Sequence, residues 1–182
     1  MSGEEVDLLA LAAELVSIPS VSRHEDAIAD RIESELSEHR WLEVERIGNN
    51  VVARTTLGRP LRMVMAGHLD TVPAAGNAEA KLDGDTLWGV GAADMKGGLA
   101  VLLALARSTV EPSVDVTWCF YEREEVDRVE DGLVRLWRER PELVDGDVAI
   151  LGEPTACHIE AGCQGTMRAV VRVGGVAAHT AR

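Results

Sequence analysis

Gly67-His68-Leu69-Asp70-Thr71-Val72-Pro73 closes a nearly continuous apolar run, residues 61–66. Such a run reads as a strand buried on both faces, as in a parallel sheet. An imidazole stands at its C-terminal end, with a carboxylate two residues on. The arrangement recurs twice. Val116-Thr117-Trp118-Cys119-Phe120-Tyr121 leads to Glu124-Glu125, and Val148-Ala149-Ile150-Leu151 leads to Gly152-Glu153-Pro154. Between these runs, Leu99, Leu102, Leu103 and Ala106 keep helical spacing. So do Val129, Leu133, Leu136 and Trp137, with a stop at Pro141. Strand, helix, strand, helix, strand implies parallel βαβ units. Ligands of open α/β sheets gather at the C-terminal strand ends. Three such ends would bring His68, Asp70, Glu124, Glu125 and Glu153 to one rim.

Working outward, Leu8, Leu11, Ala12 and Leu15 mark a helix that ends at Ile18-Pro19-Ser20. Ser22-Arg23-His24-Glu25 has the capping-box pattern and opens a helix with Ile28, Ile32 and Leu36 on one face. Leu42-Glu43-Val44-Glu45 and Val51-Val52-Ala53-Arg54 are strands about the turn Gly48-Asn49-Asn50, and Asp83-Gly84 marks a second hairpin. From Met95 the chain reads as a helix. Asp94 therefore stands at or just before a helix N-terminus, where a carboxylate is favoured; an N-cap alone would explain it equally well. After Pro154 come two more β-like runs, 159–161 and 167–173. The fold class is α/β, a mostly parallel sheet flanked by helices.

The net charge of −13 is opposite in sign to a nucleic-acid footprint or a polybasic membrane patch. Neither partner is expected. The longest apolar stretch, residues 99–106, is too short to span a bilayer, and the N-terminus carries Glu4, Glu5 and Asp7 rather than a leader pattern. A cytoplasmic location is the expectation. Three cysteines, Cys119, Cys157 and Cys163, do not form a disulfide framework, and Cys157, His158 and Cys163 match no closed zinc finger. His24 and His39, among charged residues, are expected to be solvated.

Taken singly, each polar strand-end residue has an ordinary explanation: a structural histidine, a turn aspartate, a charged loop, a glutamate before proline. Converging, they have the composition of a catalytic cation site. One His with several carboxylates and no paired Cys suits Zn²⁺, or a similar ion such as Co²⁺ or Mn²⁺. Asp70 is placed to accept the second ring N–H of His68. Of the adjacent Glu124 and Glu125, one can be a ligand and the other a proton shuttle. Hydrolysis of an amide or ester by ion-activated water is the reaction class implied.

Together, Gly67 to Pro73, Gly91-Ala92-Ala93-Asp94-Met95-Lys96-Gly97-Gly98, Glu124-Glu125 and Gly152-Glu153-Pro154 resemble the dinuclear-zinc family of succinyl-diaminopimelate desuccinylase, acetylornithine deacetylase, aminoacylase and glutamate carboxypeptidase. The resemblance implies that His68 and Glu153 bind one zinc, that Glu125 binds the other and that Asp94 bridges them. It implies Asp70 as the orienter of His68, Glu124 as general base, and a cis peptide at Asp94-Met95. His179 resembles a lid-domain histidine that reaches the partner subunit's active site. Phe120-Tyr121 and residues 161–166 look most like desuccinylases. That points to removal of succinate from N-succinyl-LL-2,6-diaminopimelate, in lysine biosynthesis. An acetylornithine deacetylase, a metallo-carboxypeptidase and an inactive metal-binding or oligomerising remnant are the alternatives. Val90 and Arg123 depart from the family pattern without touching a ligand. Relatives are about twice this long, so residues 1–163 are expected to be the N-terminal part of a metal-binding catalytic domain. Residues 164–182 would begin a truncated lid and dimerisation domain. A full-length form would be a homodimer acting on a small N-acyl amino acid, whereas this chain would lack one histidine ligand and turn over poorly.

Overall fold

In the computed structural model, which describes residues 6–162, 169–172 and 174–175, the chain runs from two helices into a sheet. Helix α1 (Leu8–Val16) is capped by Asp7, whose carboxylate accepts the Ala10 N–H at 3.0 Å, and α2 (Asp26–Ser37) follows. Strands β1 (Glu43–Ile47) and β2 (Asn50–Arg54) form a hairpin. Then come β3 (Arg62–His68), the small hairpin β4 (Lys81–Asp83) and β5 (Thr86–Trp88), α3 (Gly97–Ser108), β6 (Asp115–Tyr121), α4 (Gly132–Glu139) and β7 (Val148–Leu151).

The main sheet has the order β1-β2-β6-β3-β7. Strand β3 runs parallel to both its neighbours, β6 and β7, while β2 is antiparallel to the central β6. The expected βαβ units are therefore present. His68 pairs with Tyr121 at the C-terminal ends of β3 and β6.

Apolar periodicity sets the layers. Helices α1, α2 and α3 bury Leu11, Leu15, Ile28, Ile32, Leu36, Leu99 and Leu103 against Trp118 and Phe120 on one face of the sheet. Burying each such side chain contributes about 1.5–3 kcal/mol. Helix α4 covers part of the other face, where Leu136 packs with Val52, Ala66, Cys119 and Tyr121. Gly67 lets α3 approach β3: a Cβ there would lie 2.5 Å from the Met95 methyl and 2.9 Å from Leu99. Edge strand β7 stays exposed among the described residues, with Val148 at 54% and Leu151 at 53%.

Four local expectations need correction. The capping box does not form: Glu25 precedes α2 without a side-chain cap bond, and Ser22 points elsewhere. The third helix starts at Gly97, not Met95, because Asp94 and Met95 have non-helical backbone angles in an irregular turn, Ala92–Lys96. Helix α4 starts at Gly132 on its Asp131 cap, leaving Val129 exposed in the preceding loop. Residues 159–161 form no strand and lie exposed; residues 169–172 are likewise irregular, and the rest of the 167–173 run lies outside the described residues. No helix among the described residues is long and apolar enough to cross a membrane.

Candidate metal centre

His68 ends β3 with its side chain 1% exposed. Its Nε2 lies 3.0 Å from Asp94 Oδ1. Its Nδ1 lies 3.0 Å from the main-chain oxygen of Asp70 and 3.4 Å from Asp70 Oδ1. The nearest acceptor for the second ring nitrogen is thus a carbonyl, with the carboxylate just behind it. Both favour a proton on Nδ1 and turn Nε2 toward the cleft.

Asp70 is fully buried, and donors surround it. Oδ1 accepts the Glu124 N–H at 2.9 Å, and Oδ2 accepts the Glu125 N–H at 3.1 Å and the Ser22 hydroxyl at 2.7 Å. These bonds and His68 hold the Asp70 carboxyl below its usual range although burial alone would raise it. The two glutamates are adjacent in sequence, and the bend after β6 turns both backbone amides onto one carboxylate. That bend is how neighbouring side chains come to face one site.

Asp94 comes from the turn between β5 and α3. Gly91, at φ +74°, starts that turn, and a Cβ there would lie 2.5 Å from Thr71 Cγ2. The Asp94–Met95 peptide bond is cis. The Asp94 side chain remains 53% exposed, so the site opens to solvent. Glu153 follows β7.

Two sets of donor atoms converge. Those of His68, Asp94 and Glu153 lie within 4.8 Å of one another, as do those of His68, Glu124 and Glu125. Desolvation raises the pKa of Glu124, Glu125 and Glu153, and repulsion from neighbouring carboxylates, Asp94 in each case, adds to it. His68 shows the counterpart: burial would lower it, but Asp70 and Asp94 carry it to about 9. The cluster has more negative charge than the protein neutralises. One imidazole with several converging, poorly neutralised carboxylates fits a hard or borderline divalent cation.

The structure also reveals groups that sequence reasoning passed over. Lys96 is 1% exposed, and its Nζ donates to the Ile18 carbonyl at 2.7 Å. Desolvation lowers its pKa to about 8. Glu122, also buried, accepts from Asn50 Nδ2 and Arg135, both at 3.3 Å. Glu122 directly follows β6, yet nothing in its spacing signals its burial, or that of Lys96, because the hydrogen bonds that satisfy them come from residues more than a dozen positions away. Cys157 is exposed and forms no disulfide among the described residues, while Cys163 and His179 lie outside them. His24 is exposed, as expected.

Residues 64–173, well over half of the chain, match the model for Peptidase family M20/M25/M40. The chain is 52% identical over 177 residues to a putative succinyl-diaminopimelate desuccinylase DapE of Mycobacterium tuberculosis, covering 97% of this chain and 50% of that protein. It is 46% identical over 182 residues to a succinyl-diaminopimelate desuccinylase of Corynebacterium glutamicum, covering 97% and 49%. Among solved structures, the M20 family metallo-carboxypeptidase Sso-CP2 from Sulfolobus solfataricus superposes with a TM-score of 0.66 at 18% identity, covering 81% of this chain and 37% of that one. The chain belongs to the M20/M25/M40 peptidase family. It spans about half the length of the curated relatives it matches.

Proposed function

We propose that this chain carries the metal-binding part of a metal-dependent amide hydrolase, and that its substrate is N-succinyl-LL-2,6-diaminopimelate. The observation that carries the reading is the convergence of His68 with Asp94 and Glu153, and of the same imidazole with Glu124 and Glu125. His68, Asp94 and Glu153 would hold one divalent ion, and Glu125 with Asp94 a second. Zn²⁺ suits the donors best, with Co²⁺ a close substitute. When bound, such ions polarise a carbonyl and acidify water.

The chain's own residues do the rest. Asp70 and the Asp70 carbonyl orient the His68 ring. Glu124, with its pKa raised by desolvation, takes the proton from the attacking water and returns it to the leaving amine. The names of the relatives at 52% and 46% identity support succinate as the acyl group removed. Residues 164–182 begin a second, dimerisation domain in this reading, with His179 serving a partner subunit.

Two measurements test it. Zn²⁺ titration of the chain should show one tight equivalent and a weaker second; two equally tight sites would contradict the ligand assignment, and no binding would end the metal reading. Assay of a version extended to the relatives' length should release succinate from N-succinyl-diaminopimelate. Preferred release of acetate from acetylornithine, or of an amino acid from a dipeptide, would move the assignment elsewhere in the family.

A further inference from the structure

The connector between α1 and α2 touches three of the four segments that carry the candidate site residues; the fourth holds Glu153, after β7. At its start, the Ile18 carbonyl accepts Lys96 Nζ at 2.7 Å, two residues after Asp94. In its middle, the Ser20 hydroxyl donates to the Leu69 carbonyl at 2.8 Å. The Thr71 N–H donates to the Ser20 carbonyl at 2.9 Å, and the Ser22 N–H to the Thr71 carbonyl at 3.2 Å. At its end, the Arg23 guanidinium donates twice to Glu130, at 2.9 and 2.7 Å, in the loop that carries Glu124 and Glu125. Arg23 adopts φ +75°, an unusual conformation for a non-glycine residue. Forty-eight residues of sequence separate Ser22 from Asp70, yet the Ser22 hydroxyl donates to Asp70 Oδ2 at 2.7 Å.

We propose that this connector is the brace of the metal site, and that Ser22 is the positioning residue through which it orients Asp70 and the loop carrying Glu124 and Glu125. The inference rests on the metal reading above. Its physical basis is the saturation of a buried carboxylate. Asp70 Oδ1 accepts the Glu124 amide and faces His68; Oδ2 accepts the Glu125 amide and Ser22. Without the Ser22 hydroxyl, Oδ2 keeps only the Glu125 amide, and the carboxylate can pivot. The pivot moves a ligand-orienting group on one side and the Glu124–Glu125 backbone on the other. Partners of this kind affect metal affinity about 10–100-fold. Ser22 touches no proposed ligand, so its effect must pass through Asp70.

The test is Co²⁺ titration of the 182-residue chain, following the visible spectrum of the bound ion, beside a melting curve without metal. Ser22→Ala should bind Co²⁺ at least about tenfold more weakly and with an altered spectrum. Ser22→Thr, which keeps the hydroxyl, should stay within about threefold of the parent. Ser17→Ala should match the parent, because the Ser17 hydroxyl donates only to the Ala13 carbonyl on the exposed end of α1. Ser22→Cys, nearly isosteric but a weaker donor, puts the same question to a chain with almost unchanged packing should the alanine variant not fold. A folded Ser22→Ala or Ser22→Cys that melts earlier yet binds Co²⁺ as the parent does would make Ser22 a mere tie between loops and overturn the proposal. A parent chain that binds no Co²⁺ would instead remove the metal reading, and the brace with it.

Discussion

Strand β6 has a carboxylate group at each end, and the two ends obey opposite electrostatics. At its start, Asp115 accepts the Thr55 hydroxyl at 2.7 Å and the amides of Leu57 and Arg59 at 2.9 and 2.8 Å. Arg62 stands 3.9 Å away. Burial alone would raise the Asp115 pKa, but these donors hold it at about 2. Past the other end, Glu124 and Glu125 are pushed upward by desolvation and by the acids around them. Asp115 is a finished interaction that pins the loop 55–59 to the sheet. The cluster at the opposite rim is unfinished, and a cation would complete it. One residue chemistry thus serves structure where donors saturate it and function where they do not.

His68→Ala should produce the largest change. It removes the donor shared by both sets and should lower Zn²⁺ affinity by more than about 100-fold, read by equilibrium titration. Affinity within tenfold of the parent would break the contrast between the two ends, because the cluster would then need no nitrogen donor.

Asp115→Asn should come next. Loss of hydrogen bonds to an ionised group costs about 1.5–3 kcal/mol, measured by urea unfolding at pH 7. The folded pKa is about 2, below an unfolded value of about 3.9. The charged form is therefore the stabilising one. Its contribution is complete above about pH 4 and is lost as pH falls toward 2. The parent's advantage over Asp115→Asn should shrink in that window while Zn²⁺ affinity at neutral pH stays unchanged.

The smallest effect has the opposite sign. Glu153→Gln should stabilise the metal-free chain slightly, by less than about 1 kcal/mol, because the raised pKa of Glu153 marks its charged form as unfavourable in the folded state. The same substitution should weaken Zn²⁺ binding. Metal-free destabilisation instead would mean that Glu153 is a satisfied structural group like Asp115, and the comparison between the two rims would fail.

Much of this architecture was legible along the chain. The apolar run before His68 and its two repeats gave the parallel strands, since a strand covered by helices must be apolar on both sides. The intervening 3.6-residue periodicity gave α3 and α4. Legibility failed where a side chain had to choose between a neighbour and a distant partner. Ser22 and Glu25 have the spacing of a capping box, but Ser22 bonds Asp70 and Glu25 accepts the Arg23 N–H at 2.8 Å. Met95 belongs to a helical pattern, yet the turn bearing Asp94 delays the helix to Gly97. Val129 continues the spacing of α4, but Asp131 caps the helix after it by accepting the Leu133 and Val134 amides.

The sequence by itself determined the order of the main strands and helices, though not each boundary, and hence that His68, Glu124, Glu125 and Glu153 stand at or after strand ends that share one rim; local spacing suffices for that. Tertiary structure alone decided which way each of those side chains faces. It also set Asp70 as the hub that gathers two amides and a hydroxyl, and buried Lys96 and Glu122. Those outcomes depend on partners brought together by the packing of distant segments, and no periodicity along the chain encodes them.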